Sequence, residues 1–170
     1  VFVLISGARS SAASMDVELR NRAELPRTSL LALGRQPFTT NDLVRAQRNG
    51  LKYSDRPSLG SGLARAGNNE FFGISDRGPN GSVAGWRTFP LPKFCPHLTR
   101  FRVNAGRMEI LNSILLTDSA GKPLSGLSNQ SPEERLYESG RDAAPLDYDP
   151  NGIDPEAVRV FPDGKFLISE

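Results

Sequence analysis

The chain has very few of the residues from which disulfide frameworks and zinc sites are built, since it contains one cysteine, Cys95, and one histidine, His97. A single cysteine excludes an internal disulfide, and a zinc site needs three or four ligands rather than this pair. We therefore interpret Cys95 and His97 as structural or surface residues. The chain also has no Gly-x-Ser-x-Gly motif, and one histidine would have to serve any serine or cysteine triad alone.

Long apolar runs are also missing, because the longest ones fall far below the length of a membrane span. The formal net charge is only +2, and the arginines are scattered rather than gathered into a stripe, so nothing indicates a nucleic-acid partner. We expect neither a membrane span nor nucleic-acid binding.

The N-terminal part of the chain carries little pattern. Residues 1–15 combine a short apolar run with small residues, which is similar to the end of a secretory signal and favours an exported protein, either secreted or periplasmic. Residues 16–60 are interpreted as an irregular segment. Because the chain begins at Val1 and ends at Glu170 inside a strand-like run, we interpret it as part of a longer protein.

From residue 61 onward the sequence is organised as short strands and tight turns. The 16 glycines and 13 prolines of the chain favour many turns over long helices. Two strand pairs turn at residues 67–69 and 104–106, and residues 98–103 alternate as a half-buried strand does, with Thr99, Phe101 and Val103 on one face. Four strands in sequence predict an antiparallel meander.

A long interruption follows, from residue 119 to about residue 155, rich in Gly, Pro, Ser and Asp. We interpret it as a loop insertion with one short helix. Ser131 is suited to the N-cap, Pro132 to the first helical position, and Glu134 lies three residues after the cap.

The first strand pair then recurs. Residues 62–76 and 156–170 align without a gap at a spacing of 94 positions (156 − 62 = 94), with the same apolar alternation and a carboxylate, Asp76 or Glu170, at the end. This recurrence indicates an internal repeat. The identical pairs are Arg65 and Arg159, Phe72 and Phe166, Ile74 and Ile168, and Ser75 and Ser169.

A four-stranded unit that begins again after an insertion is typical of a β-propeller blade. The alternative is a β-sandwich, which uses similar short strands but gives no reason for the recurrence. We therefore predict an all-β fold, a β-propeller segment with most of one blade in residues 61–118 and the start of the next in residues 156–170. Loops between blades converge at one end of a propeller, where a ligand mouth forms.

At these residues the chain resembles the phytase-like family, whose members are β-propellers described as having esterase-like activity. The resemblance covers roughly residues 60 to 170 and depends on segments 62–81, 89–127 and 149–170. It implies hydrolysis of an ester, either a carboxylic or a phosphate ester. Because members usually continue into further blades after the final acidic residue, it also implies a propeller domain, 61–170, that is truncated at its C-terminus.

The densest acidic segment, LDYDPNGIDPE, offers oxygen ligands of the kind that calcium prefers, supplied by Asp147, Asp149, Asn151, Asp154 and Glu156. It is not an EF-hand, because Val158 occupies the twelfth position, where a bidentate Glu is needed. The alternatives are a different divalent-cation site and a solvated surface turn.

Five polar residues are the candidates for catalysis and substrate binding. Asp76, Asp154 and Glu156 are the candidate catalytic carboxylates, because carboxylates at strand ends can hold a metal or activate water. Arg77 offers a planar fork of donors for an anionic substrate, and Asn80 lies in the same loop. The alternatives are an exposed strand-end charge at Glu156, a turn at residues 76–81 in which Asp76 caps backbone N–H groups and Arg77 is solvated, and a propeller that binds a small ligand or a protein without catalysis.

Overall fold

A computed structural model describes residues 2–5, 19–25, 29–49, 51, 58–129, 135–139 and 144–170. The start of the predicted short helix, residues 131–134, and most of the predicted signal region lie outside these ranges, but residues 136–138, which that helix was expected to include, form a β-strand. No helix within the described ranges is long and apolar enough to cross a membrane.

The described residues are mostly β-structure, with one short 3-10 helix at Leu30–Ala32 and one α-helix, α1, at Thr40–Arg48. The strands are β1 (Phe2–Ile5), β2 (Leu19–Ala23), β3 (Gly62–Gly67), β4 (Glu70–Ile74), β5 (Gly81–Val83), β6 (Trp86–Phe89), β7 (His97–Asn104), β8 (Arg107–Leu115), β9 (Leu136–Glu138), β10 (Pro145–Leu146), β11 (Ala157–Val160) and β12 (Phe166–Ser169).

The central element is a four-stranded antiparallel sheet in the order β3-β4-β7-β8. The strands follow one another in chain order, so the predicted meander is confirmed. At the β7–β8 turn, Ala105 and Gly106 both have positive φ, 45° and 78°. Two positive φ values are what a tight two-residue hairpin turn requires.

A second four-stranded sheet lies beside the meander, in the order β10-β9-β6-β5. Its hairpin β5–β6 interrupts the chain between β4 and β7, and β9 runs parallel to β6. The interruption that we predicted as a loop with one helix therefore contains two strands. Sequence pattern does not identify them because β9 and β10 are three and two residues long.

One face of the β3-β4-β7-β8 sheet packs against residues that precede it in the chain. Phe71 and Phe101 stack with their ring centroids 5.7 Å apart, and buried Leu59 and Ala23 lie against them. This contact covers the face on which the sequence places Phe101 and Val103.

The opposite face packs against the β11–β12 hairpin, where buried Ile74, Leu98 and Val158 form a cluster. The rings of Phe72 and Phe166, which are equivalent positions of the repeat, meet edge to face at 4.9 Å. The two copies of the repeat are therefore in direct contact.

Gly62 is the point of closest approach between the two copies. A Cβ there would lie 2.7 Å from the backbone nitrogen of Val158, which leaves no room for a side chain. The absence of a side chain at Gly62 lets β11 pack directly on β3.

The alternation predicted for β7 is confirmed at Arg100 and Arg102, which are exposed and pair with Glu70 at 2.6 and 2.7 Å. Leu98 differs from the half-buried prediction, because the β11–β12 hairpin covers it and leaves 3% of its surface exposed. Strand β7 is therefore exposed on one face near its C-terminal end, at Arg100 and Arg102, and buried on both faces near its N-terminal end, at Leu98.

The two copies of the repeat use different registers. In the first copy Ile74 lies opposite Gly62, whereas its equivalent Ile168 lies opposite Val158 rather than Glu156. The ungapped alignment was therefore wrong about strand partners by two positions. Because side chains alternate with a period of two, this shift keeps the apolar residues on the same face.

The segment that we described as irregular contains β2, the 3-10 helix and α1. Thr39 and Asp42 form a reciprocal capping box at the start of α1, an arrangement that satisfies two backbone donors of the first turn. The helix buries Leu43 and Ala46 against Phe38 and Phe94. This packing fixes the position of residues 91–94, which lead into β7.

Candidate functional site

The candidate site lies where the chain leaves β4 and where it enters β11. Buried Ser75 continues the pairing of β4 with β7, since its backbone nitrogen donates to His97 O at 3.0 Å and its Oγ accepts from His97 N at 2.9 Å. Asp76 follows directly. At the entry to β11, the backbone nitrogen of Glu156 donates to Ser169 O at 2.8 Å, which anchors Glu156 to the end of β12.

Three carboxyl groups, those of Asp76, Asp154 and Glu156, lie near this junction. The carboxyl group of Asp154 is close enough to that of Asp76 to share a hydrogen bond when one of them is protonated, and Glu156 is close enough for its charge to act on Asp76. A hydrogen bond between two carboxyl groups needs a proton on one of them. The sequence grouped these three residues as candidate catalytic carboxylates, and the other two both act electrostatically on Asp76.

The pKa of Asp76 is raised above its ordinary value. Burial is the main cause, because it disfavours the charged form, and the hydrogen bond from Asp154 and the negative charges of Asp154 and Glu156 act in the same direction. The backbone N–H of Arg77, which donates to Asp76 Oδ1 at 2.5 Å, opposes this shift. Asp76 therefore holds a proton more readily than an exposed aspartate does.

Arg77 is directed into the protein rather than into solvent. Its Nε lies 2.7 Å from Asp154 Oδ2, and its side chain is 11% exposed. Its Nη1 donates to Ser128 Oγ at 3.1 Å. The fork that we predicted for an anionic substrate is thus already in contact with a carboxylate and a hydroxyl of the chain.

The two carboxylate oxygens of Asp154 differ in their contacts. Oδ2 is paired with Arg77, whereas Oδ1 is buried and receives no N–H or O–H from the other described residues. A buried carboxylate oxygen in this state can accept the proton that Asp76 carries. Asp154 is thus paired with Arg77 through Oδ2, while Oδ1 is open to a proton held by Asp76.

Asn80 stabilises its own loop. Its Nδ2 donates to Gly78 O at 3.1 Å, and its Oδ1 accepts from Arg87 Nη1 at 3.2 Å. The amide therefore links the loop after β4 to strand β6. This is the turn-stabilising role that we weighed against substrate binding.

The other residues of the acidic segment contribute to loop structure. Asp149 Oδ2 accepts from Ser125 Oγ at 2.6 Å, and Oδ1 accepts from the backbone nitrogen of Asn151 at 3.0 Å. Asp147 and the Asn151 side chain are exposed. In the described part of the chain, no group of three or more His, Cys, Asp or Glu side chains is arranged to hold a metal ion. The calcium site stays a prediction.

Cys95 and His97 are both buried, and Gln36 holds them. Its amide exchanges two hydrogen bonds of 2.9 Å with the Cys95 backbone, and its Nε2 lies 3.3 Å from His97 Nδ1. Burial raises the pKa of the Cys95 thiol to about 11. The structural interpretation of both residues is confirmed over the surface alternative, since each is 0% exposed.

Because His97 is buried, we predict that the folded protein loses stability at low pH. Burial lowers its pKa to about 4 from an ordinary 6.5, so the unfolded chain takes up the proton first as the pH falls. The corresponding stability is present above about pH 6.5 and is lost as the pH falls through about 4, an effect of about 3 kcal/mol. We expect the unfolding free energy of the wild type to drop by that much more than that of His97→Gln between pH 7 and pH 4, measured by urea denaturation.

The raised pKa of Asp76 acts in the opposite direction, because a group whose folded pKa is raised adds stability at low pH. Asp76 is present in both the wild type and His97→Gln, so its contribution cancels when the unfolding free energies of the two proteins are compared. Parallel pH profiles for the wild type and His97→Gln would show that His97 does not limit acid stability.

Sequence reasoning missed three polar residues that hold these groups in place: Gln36, Ser125 and Ser128. Gln36 lies 59 positions from Cys95, and Ser128 lies 51 positions from Arg77. Single serines and glutamines in loops carry no periodic signal. In the sequence, only the repeat related segments that are far apart in the chain. Among the site residues, the carboxylates alone were related in this way.

Comparisons of this chain with protein-family models, with curated proteins and with solved structures found no match.

Proposed function

We propose that the β3-β4-β7-β8 sheet and the β11–β12 hairpin are successive blades of a β-propeller. Support comes from the sequence repeat together with the face-to-face packing of its two copies through Phe72 and Phe166. Blades of a propeller pack in this manner around a central axis, and their connecting loops gather at one end. The junction that carries Asp76 and Glu156 is then one wall of the ligand mouth.

At this mouth we propose an ester hydrolase that uses a carboxylate-activated water. The observation that carries the proposal is the proximity of Asp76, Asp154 and Glu156, with the pKa of Asp76 raised by burial and by its carboxylate neighbours. Enzymes that need an acid and a base at one centre separate the pKa values of two carboxyl groups by their environments. The phytase-like resemblance of the sequence indicates the same class of reaction.

Each carboxylate has a role in this scheme. Exposed Glu156 takes a proton from the water that attacks the ester, and protonated Asp76 gives its proton to the oxygen of the leaving alcohol. Asp154, paired with Arg77, accepts the hydrogen bond of the Asp76 proton and keeps that carboxyl oriented. Proton uptake by Glu156 and proton release by Asp76 balance over one hydrolysis.

A divalent cation is a second element of the proposal. Glu156 supplies hard oxygen donors of the kind that calcium binds, and a bound cation would polarise the ester group. Asp154 is less suited, because Oδ2 is paired with Arg77 and Oδ1 is assigned to the proton of Asp76. The carboxylate of Asp149 is also less suited, because both of its oxygens already accept hydrogen bonds. The proton transfers by Glu156 and Asp76 described above do not require the cation.

The test is a hydrolysis assay on the purified protein in the longest form that its gene encodes, because other blades contribute to a propeller mouth. We expect release of p-nitrophenol from p-nitrophenyl acetate or p-nitrophenyl phosphate. Each substrate is assayed with calcium and with a chelator, which decides whether a cation takes part. No turnover of either ester under either condition would overturn the proposal and favour a propeller that binds ligands without catalysis.

A further inference from the structure

The segment Ser125–Ser128 lies between the two loops that carry the carboxylates. On one side, Gly126 lies against the backbone of Arg77 so closely that a Cβ would overlap the Arg77 carbonyl oxygen. The backbone nitrogen of Gly126 also donates to Phe94 O at 3.2 Å. The segment is therefore fixed against the loop that follows β4.

The same segment is fixed on its other side to the loop that precedes β11. Ser125 O accepts from the backbone nitrogen of Ile153 at 2.9 Å, and Ser128 O accepts from that of Asp149 at 3.2 Å. Ser125 Oγ adds a hydrogen bond of 2.6 Å to Asp149. One short stretch of chain thus sets the spacing between the loop of Asp76 and the loop of Asp154.

Ser128 also contributes its side chain. It is 5% exposed, and its Oγ accepts from Arg77 Nη1 at 3.1 Å while Arg77 Nε lies against Asp154. Because the guanidinium is planar, two contacts, one at Nη1 and one at Nε, restrict its orientation. The hydroxyl therefore determines which way Arg77 faces Asp154.

We propose that Ser128 is a positioning residue of the carboxylate site, acting through Arg77. By orienting the guanidinium it holds the Asp154 carboxylate in place, and Asp154 in turn orients the carboxyl of Asp76. The catalytic consequence rests on the proposed ester hydrolysis. The structural part, the link from the Ser128 hydroxyl to the Arg77 guanidinium, does not depend on it.

The matched variants are Ser128→Thr and Ser128→Val, which have nearly the same shape and differ in the hydroxyl. Misplacing a catalytic group by about 1 Å costs on the order of 100-fold in rate. We expect kcat for the preferred ester to be about 10- to 100-fold lower in Ser128→Val than in Ser128→Thr, with KM changed less than about threefold. Ser82→Ala, on the exposed surface of β5, is the control and leaves both constants unchanged.

A second measurement tests the hydrogen bond between Ser128 and Arg77 in the absence of substrate. In the wild type, the guanidinium protons of Arg77 should exchange with water more slowly than those of exposed Arg107, as followed by NMR of arginine side chains. We expect Ser128→Val to speed the exchange at Arg77 by about tenfold or more, whereas Ser128→Thr retains the slow rate.

The two measurements separate the two proposals. Slow exchange that depends on the hydroxyl, in a protein that hydrolyses no ester, would support the link and overturn the hydrolase. Equal exchange rates in Ser128→Thr and Ser128→Val would overturn the positioning role, whatever the activity. Equal kcat in both variants of an active enzyme would overturn its catalytic consequence.

Discussion

Gly126→Ala is expected to be among the most destabilising single substitutions in the described part of the chain. A Cβ at this position would overlap the carbonyl oxygen of Arg77, and a backbone atom cannot move aside as a flexible side chain does. Overpacking in tight sites costs about 1–3 kcal/mol and occasionally more, and losses above about 4 kcal/mol need such a mechanism. We expect a loss of about 4 kcal/mol in unfolding free energy, measured by urea denaturation.

Gly60→Ala is the matched control, because a Cβ at Gly60 would have nothing within 4 Å. It should change the unfolding free energy by less than about 0.5 kcal/mol, as surface substitutions usually do. Similar stability for the two variants would show that the segment 125–128 does not pack against Arg77 as described, and it would also weaken the inference on Ser128.

Replacing the proton-holding carboxyl is expected to have the largest effect on activity. Asp76→Asn keeps the shape of the side chain but removes the proton that we assign to the leaving alcohol. General acid catalysis contributes typically 10²- to 10⁴-fold, so we expect kcat to fall by about 1,000-fold while KM changes little. Steady-state kinetics on the corresponding alkyl ester, whose alkoxide leaving group needs a proton, measures this at the pH of maximal wild-type activity, whereas the p-nitrophenyl ester should lose much less.

The loss of rate in Asp76→Asn can be distinguished from unfolding. A carboxyl whose pKa is raised by burial destabilises the fold when it ionises, so the neutral amide should leave stability at pH 7 unchanged or higher. Wild-type kcat should fall as the pH rises through the pKa of Asp76, because the acid is then ionised. Asp163→Asn, at the exposed turn of the β11–β12 hairpin, should keep full activity. An active Asp76→Asn enzyme would remove this carboxyl from the mechanism.

The sequence by itself determined the meander and the repeat. The turns at residues 67–69 and 104–106 and the alternation of Thr99, Phe101 and Val103 are local signals, since the direction of a strand side chain depends only on its position along the strand. The propeller interpretation of that repeat also predicted that the loop of Asp76 and the segment of Asp154 and Glu156 share one surface. These features depend on short-range pattern or on similarity within the chain, and both can be read from one sequence.

A local signal also existed for α1, where Thr39 and Asp42 form a reciprocal capping box. The helix was missed because this capping box has Asp at the position where Glu or Gln is usual. The parallel pairing of β6 with β9 is different. It joins segments about 50 positions apart through three residues of each strand, and no pattern in so short a strand specifies its partner.

Tertiary structure alone decided the state of the site. The sequence presents Arg77 as a free fork, but contacts with Ser128 and Asp154, 51 and 77 positions away, turn it inward. The two-residue shift of register in β11–β12 was likewise invisible, because it leaves every apolar side chain on the same face. Hydrogen bonds and close packing depend on distances between remote segments, and these distances are set only when the whole chain has folded. The kinds of groups at the site were therefore readable from the sequence, while their partners and their protonation were not.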